Sequence, residues 1–209
     1  AYELFKPEID QTTVDQNKNL VESHRPDGKN DLLQQIEHGT ITILAGYQSL
    51  GRLYRGIIEN SLRQYVHLGD AATMTDNRKY NPSLKKDEVT AHESGILDDR
   101  LVFTEENPGR ELDVAEALAT GARVLKGFND TLANQSISTS EAIYALVDAD
   151  KNQRLSGAKV KAAVELLLTT GNASYRADIL KYTTPEVLKR NEVIGYVGRV
   201  LKQINEPKF

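Results

Sequence analysis

Hydrophobic side chains recur every three, four or seven residues between Asp31 and His67, the strongest periodic signal in the chain. This spacing places them on one face of an α-helix. The stripe comprises Leu33, Ile36, Ile43, Tyr47, Leu50, Tyr54, Ile57 and Tyr65. The pattern predicts a long amphipathic helix region over residues 31–68. It is one helix, or a pair broken at Gly39–Thr40, because glycine is costly inside a helix.

A second helical pattern covers residues 111–209. Ser138 and Glu141 have capping-box spacing, Gly171 suits a helix C-terminus, and Thr184 before Pro185 suits a helix N-terminus. The last helix is predicted to bury Val187, Ile194, Val197, Leu201 and Ile204. These signals predict a C-terminal helical unit containing a helix–loop–helix.

The two remaining regions lack clear periodicity. Residues 1–30 are polar and predict an N-terminal arm that is extended or partly disordered. Residues 69–110 carry turn sequences, and the segment 96–103 is predicted to form a short strand at most. A connection this long is uncommon. It therefore suggests a functional loop, a contact arm for a neighbouring subunit, or a boundary between helical halves. The predicted class is all-α, in four regions: 1–30, 31–68, 69–110 and 111–209.

Composition narrows the class of protein. With 39% hydrophobic and 27% charged residues, the chain has the balance of a folded globular protein. The absence of cysteine excludes disulfides, thiolate nucleophiles and cysteine zinc sites. No apolar stretch approaches the roughly 20 residues that cross a bilayer, and the first residues do not resemble a signal peptide. We expect a soluble protein, and the sequence does not indicate its compartment.

Charge is unevenly distributed along the chain. From Arg154 onward, ten basic side chains face five acidic ones, a balance of +5, so the total of −4 leaves −9 for residues 1–153. A basic segment can meet phosphates or an acidic partner, including the chain's own acidic half. The last predicted helix carries Lys189, Arg190, Arg199 and Lys202 without interleaved aromatic residues. Nucleic-acid binding is therefore not expected.

The segment "DADKNQRLSGAK" resembles the twelve-residue calcium loop of EF-hand proteins and the related dockerin loop, over this motif alone. The resemblance implies oxygen ligands at loop positions one, three, five, seven and nine, and a bidentate carboxylate at position twelve. The matching positions are Asp148, Asp150, Asn152, the Arg154 carbonyl, Ser156 and Lys159. The first five suit a hard cation such as calcium.

Two positions depart from the EF-hand pattern. Gln153 stands where the family has a glycine with positive φ, and Lys159 places an ammonium group where a carboxylate belongs. These departures predict weakly bound calcium at best.

The helix dipole also affects whether this loop favours a bound cation. Asp148 and Asp150 end a predicted helix, where the dipole disfavours negative charge. Either a bound cation or the neighbouring Lys151 and Arg154 could offset that charge. The loop is therefore a weak calcium site, or a turn without a cofactor in which Ser156 caps the second helix.

Few other residues suggest chemistry. The four histidines stand far apart, without a metal-binding spacing, and are predicted to lie on the surface: His24, His38, His67 and His92. Residues 92–99 gather acids, and Glu93 with Asp98 could serve glycoside hydrolysis if they lay about 5–10 Å apart. Phosphate-binding glycine loops and nucleophile elbows do not occur.

These observations favour a non-enzymatic helical assembly or protein-interaction subunit. It would bind protein partners or associate with itself, without a cofactor. The arm and long connection would suit a virion or another large assembly. One alternative is a calcium-binding module that uses residues 148–159. A second is a carboxylate-dependent hydrolase acting on a glycan through residues 92–99.

Overall fold

The computed structural model describes residues 2–15, 18, 20–58, 69–72, 76, 78–97, 100–103 and 106–206. Most of this chain is helical, which confirms the all-α class. The helices are α1 Tyr2–Phe5, α2 Asp31–Leu50, α3 Pro108–Leu125, α4 Asp130–Leu146, α5 Ser156–Thr170, α6 Ala173–Tyr182, α7 Pro185–Leu188 and α8 Asn191–Ile204. The strands are β1 Thr12–Asp15, β2 Leu20–Ser23, β3 Gly56–Ile58, β4 Gly69–Ala72, β5 Lys79–Tyr80, β6 Glu93–Ser94 and β7 Arg100–Phe103.

The chain divides into two compact units, which are described separately. The first unit combines residues 1–40 with residues 108–209, and the second comprises residues 41–107. The N-terminal arm is thus part of the same unit as the C-terminal helices, although the sequence predicts it as a separate region.

Helix α5 is the central element of the first unit. It packs against α3, α4, α6 and α8. Its side chains are buried on every side, because apolar and small residues occupy nearly all of its positions between Val160 and Leu167. A helix that is apolar all round belongs in a core. The facing side of α3 is rich in alanine, with Ala115, Ala119 and Ala122 fully buried, which lets the two helices approach closely.

Several predicted helix ends are confirmed and one is wrong. Gly171 ends α5 with a φ of +70°, and the Thr184 side chain accepts from the Val187 amide at the start of α7. The capping box predicted at Ser138 is not a helix start, because α4 already begins at Asp130 with Asn129 as its N-cap. The Ser138 hydroxyl instead donates to a backbone carbonyl within that helix.

Helix α2 differs from its prediction in two ways. It continues through Gly39–Thr40, where a break was predicted, and it ends at Leu50 rather than near His67. One glycine costs about 1 kcal/mol in a helix, less than the burial of neighbours such as Leu44 can supply. Gly51 then adopts a φ of +67°, which ends the helix, and residues 56–58 form β3. Residues 59–68 lie outside the described residues.

The N-terminal arm is more ordered than its prediction. It contains α1 and an antiparallel hairpin of β1 and β2 in which Val14 faces Val21. The carboxylates of Asp10, Asp27 and Asp31 accept hydrogen bonds from backbone amides elsewhere in the arm. Polar side chains therefore fold this segment, and hydrophobic periodicity does not reveal such an arrangement.

The second unit contains short strands. Strand β7 pairs antiparallel with β3 on one side and β4 on the other, and β5 pairs parallel with β6. Val102 in β7 is completely buried. The single short strand predicted within 96–103 corresponds to β7, but the irregular region predicted over 69–110 also supplies β4, β5 and β6.

The last predicted helix is two helices, because the chain turns at Lys189–Arg190 between α7 and α8. Restarting the helix changes which side faces inward. The buried stripe of α8 is Val193, Val197, Val200 and Ile204. Ile194 and Leu201, predicted to be buried, are instead 49% and 51% exposed.

Two glycines test the helix boundaries, because replacing them with alanine should change the free energy of unfolding in opposite directions. We expect Gly39→Ala to stabilise the protein by about 0.5–1 kcal/mol, since Gly39 lies in open space inside α2. Gly171→Ala should destabilise it by about 1 kcal/mol, because its φ is left-handed. Urea unfolding measures both changes. A destabilising Gly39→Ala would contradict the continuous α2.

Candidate functional site

The acidic loop joins α4 to α5, as the sequence predicts. Helix α4 ends at Leu146, and a short 3₁₀ turn over Gln153–Leu155 leads directly into α5. Asp148 Oδ1 accepts from the Asp150 amide at 3.0 Å, and Asn152 Oδ1 accepts from the Arg154 amide at 3.1 Å. These bonds are the Asx turns expected of such a loop.

Lysines offset both carboxylates of the loop. Lys151 Nζ lies 3.3 Å from Asp148 Oδ2, and Lys181 Nζ of α6 lies 2.5 Å from Asp150 Oδ2. The backbone hydrogen bond from Asp150, followed by the hydrogen bond from Lys151, holds the pKa of Asp148 below its usual range. Lys151 therefore offsets the loop charge, as predicted. The pairing of Lys181 with Asp150 could not be foreseen, because the two residues are distant in sequence.

The other predicted ligands are arranged as follows. Asn152 and Arg154 are exposed, and Ser156 is buried as the first residue of α5. Leu155, not Ser156, occupies the N-cap position of α5, and it makes no side-chain capping bond. The cap predicted at Ser156 is therefore not formed.

Lys159, at loop position twelve, is the residue whose surroundings differ most from what the resemblance implies. Its side chain is 6% exposed, and Nζ donates to the backbone oxygens of Tyr144 and Val147, at 2.7 Å each. Nζ also lies 3.5 Å from the centroid of the Tyr144 ring. Burial lowers the pKa of Lys159 from its ordinary value, although Asp178 and the loop carboxylates oppose that change. In the sequence, the only sign that this position differs from the EF-hand pattern was the lysine at loop position twelve.

These residues do not fit the EF-hand ligand set. Position twelve supplies an ammonium group that binds carbonyl oxygens, and Gln153 lacks the positive φ of the family's glycine. Among the described residues, no three His, Cys, Asp or Glu side chains gather as a metal centre, and the loop contributes only Asp148 and Asp150. Calcium binding through the remaining oxygens stays a prediction.

The second acidic candidate is only partly described. His92 is exposed, and Glu93 Oε2 accepts a hydrogen bond from Asn81 Nδ2 at 2.9 Å. Asp98 and Asp99 lie outside the described residues, so the predicted Glu93–Asp98 pair stays a prediction. Of the remaining histidines, His24 and His38 are exposed as predicted, and His67 lies outside the described residues.

A buried ionic network lies at the centre of the first unit. Glu165 of α5 is 2% exposed, and Arg123 of α3 and Arg199 of α8 both donate to its carboxylate. The Arg123 Nη2–Glu165 Oε2 distance is 2.5 Å. Thr120 also donates to Glu165 Oε2, at 3.1 Å. Buried charges are costly unless they are paired, and this one is paired twice.

Arg123 also connects the network to the N-terminal helix. Its Nε and Nη2 donate to the Glu3 carboxylate at 2.8 and 3.2 Å. Nη1 donates to the Glu165 carbonyl at 3.0 Å and to Thr169 Oγ1 at 2.6 Å. With its bond to the Glu165 carboxylate, all five N–H donors of the guanidinium are used. Arg123 is thus structural and has no donor left for a ligand.

The outer face of α8 exposes two large apolar side chains. Ile194 and Leu201 stand seven residues apart on one side of the helix, and both are half-exposed. Gly195 and Gly198 lie between them, and a Cβ atom added at either glycine would contact nothing within 4 Å. Lys202 and Arg199 carry positive charge beside this face. We call Ile194, Gly195, Gly198 and Leu201 the α8 outer face.

Comparison with known proteins gives no relative: no family model, curated protein or solved structure matches this chain. None of the described helices is both long enough and apolar enough to span a bilayer.

The buried network predicts a large cost for losing its central charge. Glu165→Gln should destabilise the protein by about 3–5 kcal/mol, because two arginines then lack a buried counter-charge. Glu186→Gln is the matched control, since Glu186 forms an exposed pair with Lys189 and its loss should change little. Chemical unfolding measures both. Equal effects would show that the network does not stabilise the bundle.

The Glu3 contact predicts a pH dependence. The hydrogen bond from Arg123 lowers the pKa of Glu3 below its ordinary value of 4.5. A lowered carboxyl pKa contributes stability that is present above the ordinary value and is lost as pH falls through the folded value. The difference in unfolding free energy between wild type and Glu3→Gln should therefore be largest near neutral pH and shrink below pH 4.5. A difference independent of pH would contradict this contact.

Proposed function

We propose that this protein is a non-enzymatic helical assembly subunit that associates with further copies of itself through the α8 outer face. The observation that carries the proposal is the exposure of Ile194 and Leu201 on one side of α8, outside the buried stripe of that helix. Large apolar side chains grouped on one face are typical of an interaction surface.

The shape of this face suits a packed contact. Gly198 leaves open space beside the two large side chains, and Gly195 leaves open space about 100° further around the helix. Because interhelical distance depends on the side chains at the contact, another segment can approach α8 closely here. Ile194 and Leu201 would then enclose the approaching backbone on both sides.

Charge indicates which part of a second copy would bind. The chain carries +5 from Arg154 onward and −9 over residues 1–153. Two α8 helices facing each other would bring Lys202 of both copies together, which like-charge repulsion opposes. The N-terminal arm, with six acidic and four basic side chains over residues 1–30, has a balance of −2 and does not repel this face. It exposes its own large apolar side chains, Leu4 and Phe5, at 82% and 77%.

A contact between α8 of one copy and the arm of another is head-to-tail. Such contacts form closed rings or open filaments, according to the rotation between copies. The proposal therefore includes assemblies larger than a dimer. Because opposite charges contribute to the contact, salt that screens them should weaken it, while the apolar burial remains.

Light scattering over a range of protein concentrations tests this function. We expect the mass of wild type to rise with concentration and Ile194→Ser/Leu201→Ser to remain monomeric. Leu146→Ser is the matched control, because Leu146 is 67% exposed at the end of α4, outside the proposed contact. A monomeric wild type at high concentration, or equal assembly of both variants, would refute the proposal.

A second variant identifies the other side of the contact. Leu4→Ser/Phe5→Ser should also remain monomeric alone. Mixed with Ile194→Ser/Leu201→Ser, it should give one-to-one dimers, since each variant retains the surface that the other lacks. Mixtures that remain monomeric would contradict the head-to-tail arrangement.

A further inference from the structure

The loop between α4 and α5 holds a buried positive charge at the place where the calcium-loop pattern requires a ligand. Lys159, at loop position twelve, points its ammonium group to the last carbonyls of α4 rather than to solvent. Both acceptors, Tyr144 and Val147, lie at the C-terminal end of that helix, where the helix dipole favours a cation.

We propose that the Lys159 ammonium group replaces the calcium ion as the cation that links the two helices of this EF-hand-like turn. It does so from the carbonyls of Tyr144 and Val147, which precede the loop, and not from the predicted loop ligands. The lysine ties the end of α4 to the first turn of α5 without a metal. This inference is independent of the proposed assembly through α8.

The local chemistry supports an ion-like role for the ammonium group. It has three N–H donors, and two reach carbonyl oxygens at 2.7 Å. The Tyr144 ring lies 3.5 Å from Nζ, within the range of a favourable cation–π contact. The cation is therefore coordinated by two oxygens and an aromatic face.

The Tyr144 ring is held in position for this contact. Its hydroxyl donates to Asp178 Oδ2 at 2.7 Å, and its ring packs edge-on against Tyr175 with centroids 5.4 Å apart. The Tyr175 hydroxyl in turn donates to Glu141 Oε1 at 2.9 Å. The aromatic ligand of the ammonium group is thus fixed by contacts to α4 and α6.

The charge around the loop is already offset. Asp148 pairs with Lys151 and Asp150 with Lys181, while the buried Lys159 is close enough for both carboxylates to act on its charge. A calcium ion entering here would meet these three ammonium groups at close range. Their repulsion opposes binding.

The test restores the two positions that depart from the calcium-loop pattern. The full-length variant Gln153→Gly/Lys159→Glu supplies the glycine and the carboxylate. Thermal unfolding and calorimetric titration with calcium chloride are then compared with wild type. We expect wild type to show no shift and no heat in millimolar calcium. The double variant should unfold at a lower temperature without calcium and recover with calcium, and adding Asp148→Ala should abolish the recovery.

Lys159→Met separates the role of the ammonium group from metal binding. It should lower the unfolding temperature equally with and without calcium. Lys161→Met is the matched control, because Lys161 lies on the same helix and pairs with Asp113 and Glu116 near the surface. A larger effect at Lys161 than at Lys159 would overturn the proposal.

One measurement is made on wild type. The Nζ protons of a buried, doubly hydrogen-bonded lysine should exchange slowly, so nuclear magnetic resonance should show a protected side-chain ammonium signal. The signal is assigned by its absence in Lys159→Met or, if that variant does not fold, through its contacts to the Tyr144 ring. Saturable calcium heat in wild type, no calcium recovery in a folded double variant, or no protected ammonium signal would each refute the inference.

Discussion

The central helix α5 is buried on every side, yet it carries a carboxylate at Glu165. Burying that charge is tolerable only because Arg123 and Arg199 reach it from α3 and α8. The requirement fixes more than one ion pair. It sets the rotation of three helices about their axes and, through the shared contact of Arg123 with Glu3, brings the N-terminal helix to the same place.

The helix–loop–helix applies the same principle at the other end of α5. A lysine is buried at Lys159, and its charge is satisfied by the carbonyls that end α4. A hydrated lysine at this position would remove the ammonium donor from both carbonyls and leave the Tyr144 oxygen with only the 3.4 Å bond from the Val147 amide. Buried charges thus help to define how α5 meets its neighbours, one through ion pairs at Glu165 and one through carbonyls at Lys159, while the apolar side chains between them supply most of the burial.

The orientation of α8 follows from these constraints. Arg199 has to reach Glu165, and the valines of α8 have to face the core, so Ile194 and Leu201 are left on the outside. A continuous helix from Pro185 would have turned a different side toward the core. The α8 outer face, and the assembly that we propose for it, are therefore consequences of the break at Lys189–Arg190.

The sequence by itself determined the all-α class and the helix ends at Gly171 and Thr184, because these depend on local periodicity and on the chemistry of single residues. Tertiary structure alone decided the pairing of Glu165 with two distant arginines and the inward position of Lys159. It also decided the order of the arm, where isolated carboxylates bind backbone amides that lie far along the chain. Contacts between residues dozens of positions apart leave no periodic trace, and a motif shows which side chains a loop has but not which way each one points.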